Sequence, residues 1–190
     1  MKSIKLFLLV LFAANAASAQ SLAVNKTDAA TGSKIIITKN HKGKEIAVDD
    51  SVAKSGLVFF SAGYQNAASN GNTVQTYFID LDMFHNDNKL GCIQQSAENV
   101  TLILEDGTEI HCCQISDTEC SDEAFKAAFA LRSKSEPVEQ MEQNFKKLQT
   151  TGINRIKVKT SESALDYKIG SKSSDYIKKH FSLIAKTLSK

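Results

Sequence analysis

A chain of 190 residues with 42% hydrophobic residues and one proline is long enough for one domain or two small ones and too apolar for intrinsic disorder. Its formal net charge of +2 rests on Lys2 and Lys5 near the N-terminus, and the remainder carries 21 Lys and Arg against 21 Asp and Glu. A balance of this kind argues against a nucleic-acid binder.

Residues 1–19 carry the three parts of a secretory signal peptide. Lys2 and Lys5 form the basic start, residues 6–14 an uninterrupted apolar run, and Ala17-Ser18-Ala19 the small residues before a cleavage point at Gln20. The apolar run is too short to cross a bilayer core of roughly 30 Å as a helix. No later apolar run approaches that length, and the first cysteine is Cys92, so neither a membrane span nor a lipid anchor is expected. The short leader is of the bacterial kind and implies export to the periplasm or the medium.

Residues 20–33 are small and polar and read as a lead-in segment, with residues 34–190 as a single α+β domain. Ile35, Ile36 and Ile37 open a β-branched run. Residues 40–44 form a turn cluster, after which 45–48 can return as a second strand. Residues 49–56 read as loop, 57–62 as a short buried strand, and the Asn/Ala/Ser/Gly stretch 65–72 as loop. A strand over 74–82 places Tyr77, Ile79 and Leu81 on one face and Phe78, Asp80 and Asp82 on the other. Residues 83–98 are irregular and polar.

The hairpin over residues 100–115 has a register that burial can select. A two-residue loop at Asp106-Gly107 would put Leu102 opposite His111. A three-residue loop, Glu105-Asp106-Gly107, puts Leu102 opposite Ile110 and Val100 opposite Cys112. Only the longer loop gathers Val100, Leu102, Leu104, Ile110 and Cys112 on one face, with Gly107 in the left-handed conformation.

Phe125, Ala127, Phe129 and Leu131 alternate as in a strand, while the Ala-rich composition suits a helix; the alternation carries the greater weight. A helix near 136–148 follows, with Ser135 as N-cap, Pro137 in the first turn, Val138, Met141, Phe145 and Leu148 on one face, and Gly152 as its stop. Residues 153–160 and 164–169 form a second hairpin, Ile156 and Val158 facing Tyr167 and Leu165. The last element, 175–188, is a helix with Tyr176, Ile177, His180, Phe181, Ile184 and Leu188 in one apolar stripe. The order predicts an α+β fold: a mainly antiparallel sheet of about seven to nine strands, one mid-chain helix, and a C-terminal helix packed on the sheet.

Motifs of chemistry are scarce. There is no phosphate-binding glycine loop, nucleophile elbow or His-Glu-x-x-His pair. His180 reads as a residue at the core edge. Asp80 and Asp82, followed by Asn86, Asp87 and Asn88, offer oxygen ligands, but the spacing lacks the glycine of a calcium loop and reads as a solvated strand end and turn. A small secreted hydrolase with its site near Asp80, Asp82, His85 and His111 is the catalytic alternative. No cofactor is implied.

The four cysteines, Cys92, Cys112, Cys113 and Cys120, favour two disulfides in an oxidising compartment. Neighbouring strand residues point to opposite faces, so Cys112 and Cys113 should not join each other. Cys92–Cys112 with Cys113–Cys120 is the expected pairing, with the swapped pairing as its rival. Zinc held by Cys92, His111, Cys113 and Cys120 is the weaker alternative, lacking a Cys-x-x-Cys spacing.

Charge is segregated along the chain. Residues 73–132 hold 3 basic and 11 acidic side chains, and residues 133–190 hold 12 and 6. Arg155, Lys157, Lys159 and Lys168 should all point outward from the second hairpin, with Asp166 across from Lys157 to offset it. These features together suggest an exported, non-catalytic binding module. Its partner would be a protein or a cell-envelope component; nucleic acid and a membrane-embedded state are not expected.

Overall fold

A computed structural model describes residues 21–40, 48–49, 57–69, 72–84, 91–93, 98–120 and 124–190. Residues 1–20, where the leader is expected, His41, most of the expected turn cluster, His85 and residues 86–88 lie outside the described residues. The elements in chain order are β1 (Leu22–Thr27), β2 (Lys34–Thr38), β3 (Val48–Asp49), β4 (Leu57–Ser69), β5 (Asn72–Phe84), β6 (Val100–Leu104), β7 (Glu109–Gln114), β8 (Glu119–Cys120) and β9 (Ala124–Ala130). Helix α1 (Glu139–Leu148), β10 (Ile153–Lys159), β11 (Ala164–Ile169) and helix α2 (Ser171–Leu188) complete the chain.

The protein is α+β. Its antiparallel sheet runs β1-β2-β4-β5-β9-β7-β6-β10-β11-β3, with β8 on β9. Nine of the strands have five residues or more; β3 and β8 are two-residue pairings. Strand β7 joins the two halves. Residues 109–112 pair with β6, while Cys113 and Gln114 pair with β9.

The β6–β7 hairpin has the register that burial selects: Val100 faces Cys112 and Leu102 faces Ile110. Gly107 takes φ 83°, a conformation that costs glycine no Cβ clash. Asp106 accepts the Thr108 N–H and pairs with Lys147 of α1 at 3.0 Å, and these contacts hold its carboxyl down at about 2. The β10–β11 hairpin also has the expected pairs, Ile156 with Tyr167 and Val158 with Leu165. The segment 124–130 is a strand, in register with β5.

Several local expectations differ. Residues 22–27, expected in the lead-in, form β1 on the edge of β2, whose outer backbone groups would otherwise have no ladder, and Leu22 packs against the core. Residues 65–69, expected as loop, extend β4 into a thirteen-residue strand in unbroken register with β5. Only residues 70 and 71 separate the Ser69–Asn72 pair, and their sequence, Asn-Gly, is a hairpin signal. The short strand at Val48–Asp49 pairs with β11 at the far end of the sheet, not with β2, whose two sides are taken by β1 and β4.

Helix α1 starts at Glu139, and Ser135 does not cap it. Residues 133–136 form their own turn instead: the Ser133 N–H donates to the Glu136 carboxylate at 2.7 Å, and the Arg132 guanidinium donates to the carbonyl of Glu136 at 2.7 Å. Met141, Phe145 and Leu148 are buried, but Val138 is left exposed before the helix.

Helix α2 begins four residues earlier than its stripe suggests. Small Ser173 and Ser174 are buried in that extra turn, and Ser174 donates to Glu105 at 2.8 Å. Its stripe covers β2, β4 and β10 and meets α1. Phe181 stands edge-on to Phe60 and Phe145, and Phe145 stacks on Tyr77 at 4.3 Å. His180 is fully buried rather than at the core edge. Its Nδ1 lies 2.6 Å from the Thr38 hydroxyl, which also accepts the Ala62 N–H. Thr38→Val would keep the shape and remove a polar partner from a buried imidazole and a buried amide. A loss of about 1–3 kcal/mol is expected in urea unfolding; a value near zero would show that neither group depends on the hydroxyl.

Candidate functional site

The cysteines are arranged differently from the expectation. Cys92 and Cys120 form a disulfide, while Cys112 and Cys113 are free thiols in the sheet. The opposed faces of neighbouring strand residues do keep Cys112 and Cys113 apart. The assumption that all four cysteines pair was wrong. Cys112 faces the core, and its cross-strand partner is Val100 rather than a cysteine. Burial raises the pKa of both thiols, which suits inert rather than reactive cysteines. The zinc alternative falls with the same finding, because Cys92 and Cys120 have no thiolate to offer and no metal-ligating cluster occurs among the described residues.

Of the hydrolase residues that are described, Asp80 and Asp82 share strand β5 while His111 lies apart from them on β7. Asp82 pairs with Lys126 at 3.8 Å and accepts the Asn40 amide at 3.2 Å. Asp80 lies on the same strand opposite Ser61 and Ala128. His111 belongs to the other half of the sheet, where Thr101 is 3.1 Å from its Nδ1 and Glu109 is 3.8 Å from its Nε2.

One surface does gather what the sequence marked. Register places His111, Thr101, Lys157 and Asp166 in a row across β7, β6, β10 and β11, with Glu109, Ile103, Arg155 and Lys168 in the next row. Inward residues of β10 and β11, Ile156, Val158, Leu165 and Tyr167, are buried in the core. The period of two therefore turns Arg155, Lys157, Lys159 and Lys168 to solvent.

Asp166 does not offset Lys157, which lies directly across from it. It takes the diagonal Arg155 in a two-pronged pair, Nε to Oδ1 at 2.8 Å and Nη2 to Oδ2 at 2.7 Å. A planar guanidinium matches both carboxylate oxygens, and a single ammonium does not. Lys157, Lys159 and Lys168 thus have no ion pair among the described residues. An open groove of about 690 Å³ runs beside Lys157 and Lys159, lined also by Glu98, Thr101 and Glu162 among others.

No helix among the described residues is long and apolar enough to cross a membrane. Set against protein-family models, curated proteins and solved structures, the chain gives no match in any of the three.

Proposed function

We propose that the protein is an exported, non-catalytic binding module whose basic β10–β11 face docks an acidic surface of a partner protein at the cell envelope. The observation that carries this reading is the set of three exposed lysines, Lys157, Lys159 and Lys168, on one sheet face, the first two of them lining a groove. Asp166 and Glu109 interrupt the positive charge, and Thr101 and Ile103 lie between the charged positions. Such a mixed face suits a protein surface of complementary pattern better than a uniformly anionic lipid. The signal sequence and the disulfide support export.

Reversing Lys157 and Lys159 to Glu tests the reading. Envelope proteins captured by the wild-type chain at 50 mM salt should be lost with the double variant and at 300 mM salt, since exposed charges are screened beyond about 8–10 Å at physiological ionic strength. Both lysines are exposed, so the thermal midpoint should stay the same. Capture that survives both changes, or wild-type binding to anionic phospholipid vesicles that the reversal abolishes equally, would overturn the proposal.

A further inference from the structure

We infer that the outer edge of β5, where it faces the start of α1, accepts an extended segment of a partner protein as an added strand, with apolar and basic residues alternating in that segment. This site is separate from the basic face and does not depend on it.

The β4–β5 hairpin is longer than its neighbours. Strand β2 reaches only to Asn66 of β4, and β9 pairs with β5 only over Phe78–Phe84. One more bond, from the Leu131 N–H to the Tyr77 carbonyl at 3.0 Å, ends that side of the ladder. The N–H and C=O of one strand residue point to the same side, and the side alternates along the strand. Tyr77 faces the β9 side, so Gln75 and Thr73 present their backbone groups to that side as well. Among the described residues no strand meets them there. Unpaired edges of this kind template another strand, and proteins usually blunt them with Lys or Pro. Residues 72–76 read Asn-Thr-Val-Gln-Thr, with neither.

The same edge borders a groove of about 540 Å³, lined by Val74, Gln75 and Tyr77 of β5 and by Val138, Glu139 and Glu142 at the start of α1, among others. Val74 and Val138 are 41% and 45% exposed, and only Ile115 joins them as an exposed large apolar residue among those described. Two of the three therefore line one groove. Tyr77 is held by stacking on buried Phe145. Glu139 has no ion pair among the described residues, and Glu142 reaches Lys146 at 2.6 Å. An open backbone edge, two exposed valines and an acidic rim together fit strand addition, in which main-chain bonds bind and alternate side chains select. The acidic rim selects basic residues between the apolar ones.

The test uses two capped peptides on the full mature chain, acetyl-Lys-Val-Lys-Val-Lys-Val-amide and its counterpart with Glu in place of Lys. The Lys peptide should shift the amide signals of Thr73 and Gln75 and slow their hydrogen exchange, and the Glu peptide should bind at least tenfold more weakly. Gln75→Pro removes an edge N–H that points away from β4, so it should weaken the Lys peptide at least tenfold while leaving the β4 ladder intact. Glu139→Lys, an exposed helix position, should reverse the preference between the peptides and decides the matter if the proline variant is unstable. Shifts confined to β10–β11, unchanged affinity in both variants, or concentration-dependent protection of Thr73 and Gln75 without peptide would overturn the proposal. The last result would make a second copy of the chain the occupant.

Discussion

Ile184→Asp should leave no folded protein. Ile184 is fully buried on α2, in the same stripe as Ile177 and Phe181. That stripe is the cover over β2, β4 and β10, so its loss exposes most of the core. Burying each large apolar side chain contributes roughly 1.5–3 kcal/mol, and an unpaired buried carboxylate costs several more. The total stability of a domain is about 5–15 kcal/mol. The milder Phe181→Ala removes the ring between Phe60 and Phe145 and should cost about 3–5 kcal/mol. Circular dichroism during heating checks both. An unchanged midpoint for Ile184→Asp would mean that the stripe is not buried in solution.

Reduction of the Cys92–Cys120 disulfide should destabilise the protein by about 3–4 kcal/mol, the chain-entropy value for cysteines 28 residues apart. The bond does more than close a loop. The Cys92 carbonyl accepts the Ser161 N–H at 2.8 Å, and the Cys92 N–H donates to the Ser161 hydroxyl at 3.1 Å. Cys120 lies in β8 against β9. The disulfide therefore ties the β8–β9 side of the sheet to the β10–β11 turn, beside the groove of the basic face. Cys120→Ser should lower the urea midpoint as reductant does, and the two losses should not add. Alkylation of the oxidised native chain should modify neither Cys112 nor Cys113, and unfolding should release those two thiols alone. Four reactive thiols in the native chain, or a midpoint indifferent to reductant, would reject this bridge.

Where the sequence was readable, the reason is local. The β6–β7 register followed from five apolar residues that only one loop length can bury, and Gly107 marked the turn. Strand β9 followed from Phe125, Phe129 and Leu131 at a period of two, against an Ala-rich composition. The outward set Arg155, Lys157, Lys159 and Lys168 followed from Ile156 and Val158 having to face in. Less readable were segments whose conformation is stabilised from outside. Residues 22–27 and 65–69 have weak apolar patterns and become strands because β2 and β5 supply backbone partners. The Asn70-Gly71 pair was the available signal for the second. Ser135 looked like a cap until Arg132 and Glu136 drew its neighbours into a separate turn.

The sequence by itself determined the α+β class, the face that each amphipathic element buries and the registers of two hairpins, because each depends on the spacing of neighbouring residues within one element or one short turn. Only the tertiary structure decided that β9 lies between β5 and β7, that Val48–Asp49 pairs with β11, and that Cys92 meets Cys120 while Cys112 and Cys113 stay free. It alone set Val74 and Val138, 64 residues apart, along one groove. These arrangements join segments distant in the chain. Strand order, cross-links and grooves depend on which distant surfaces can cover one another, and no local period encodes that choice.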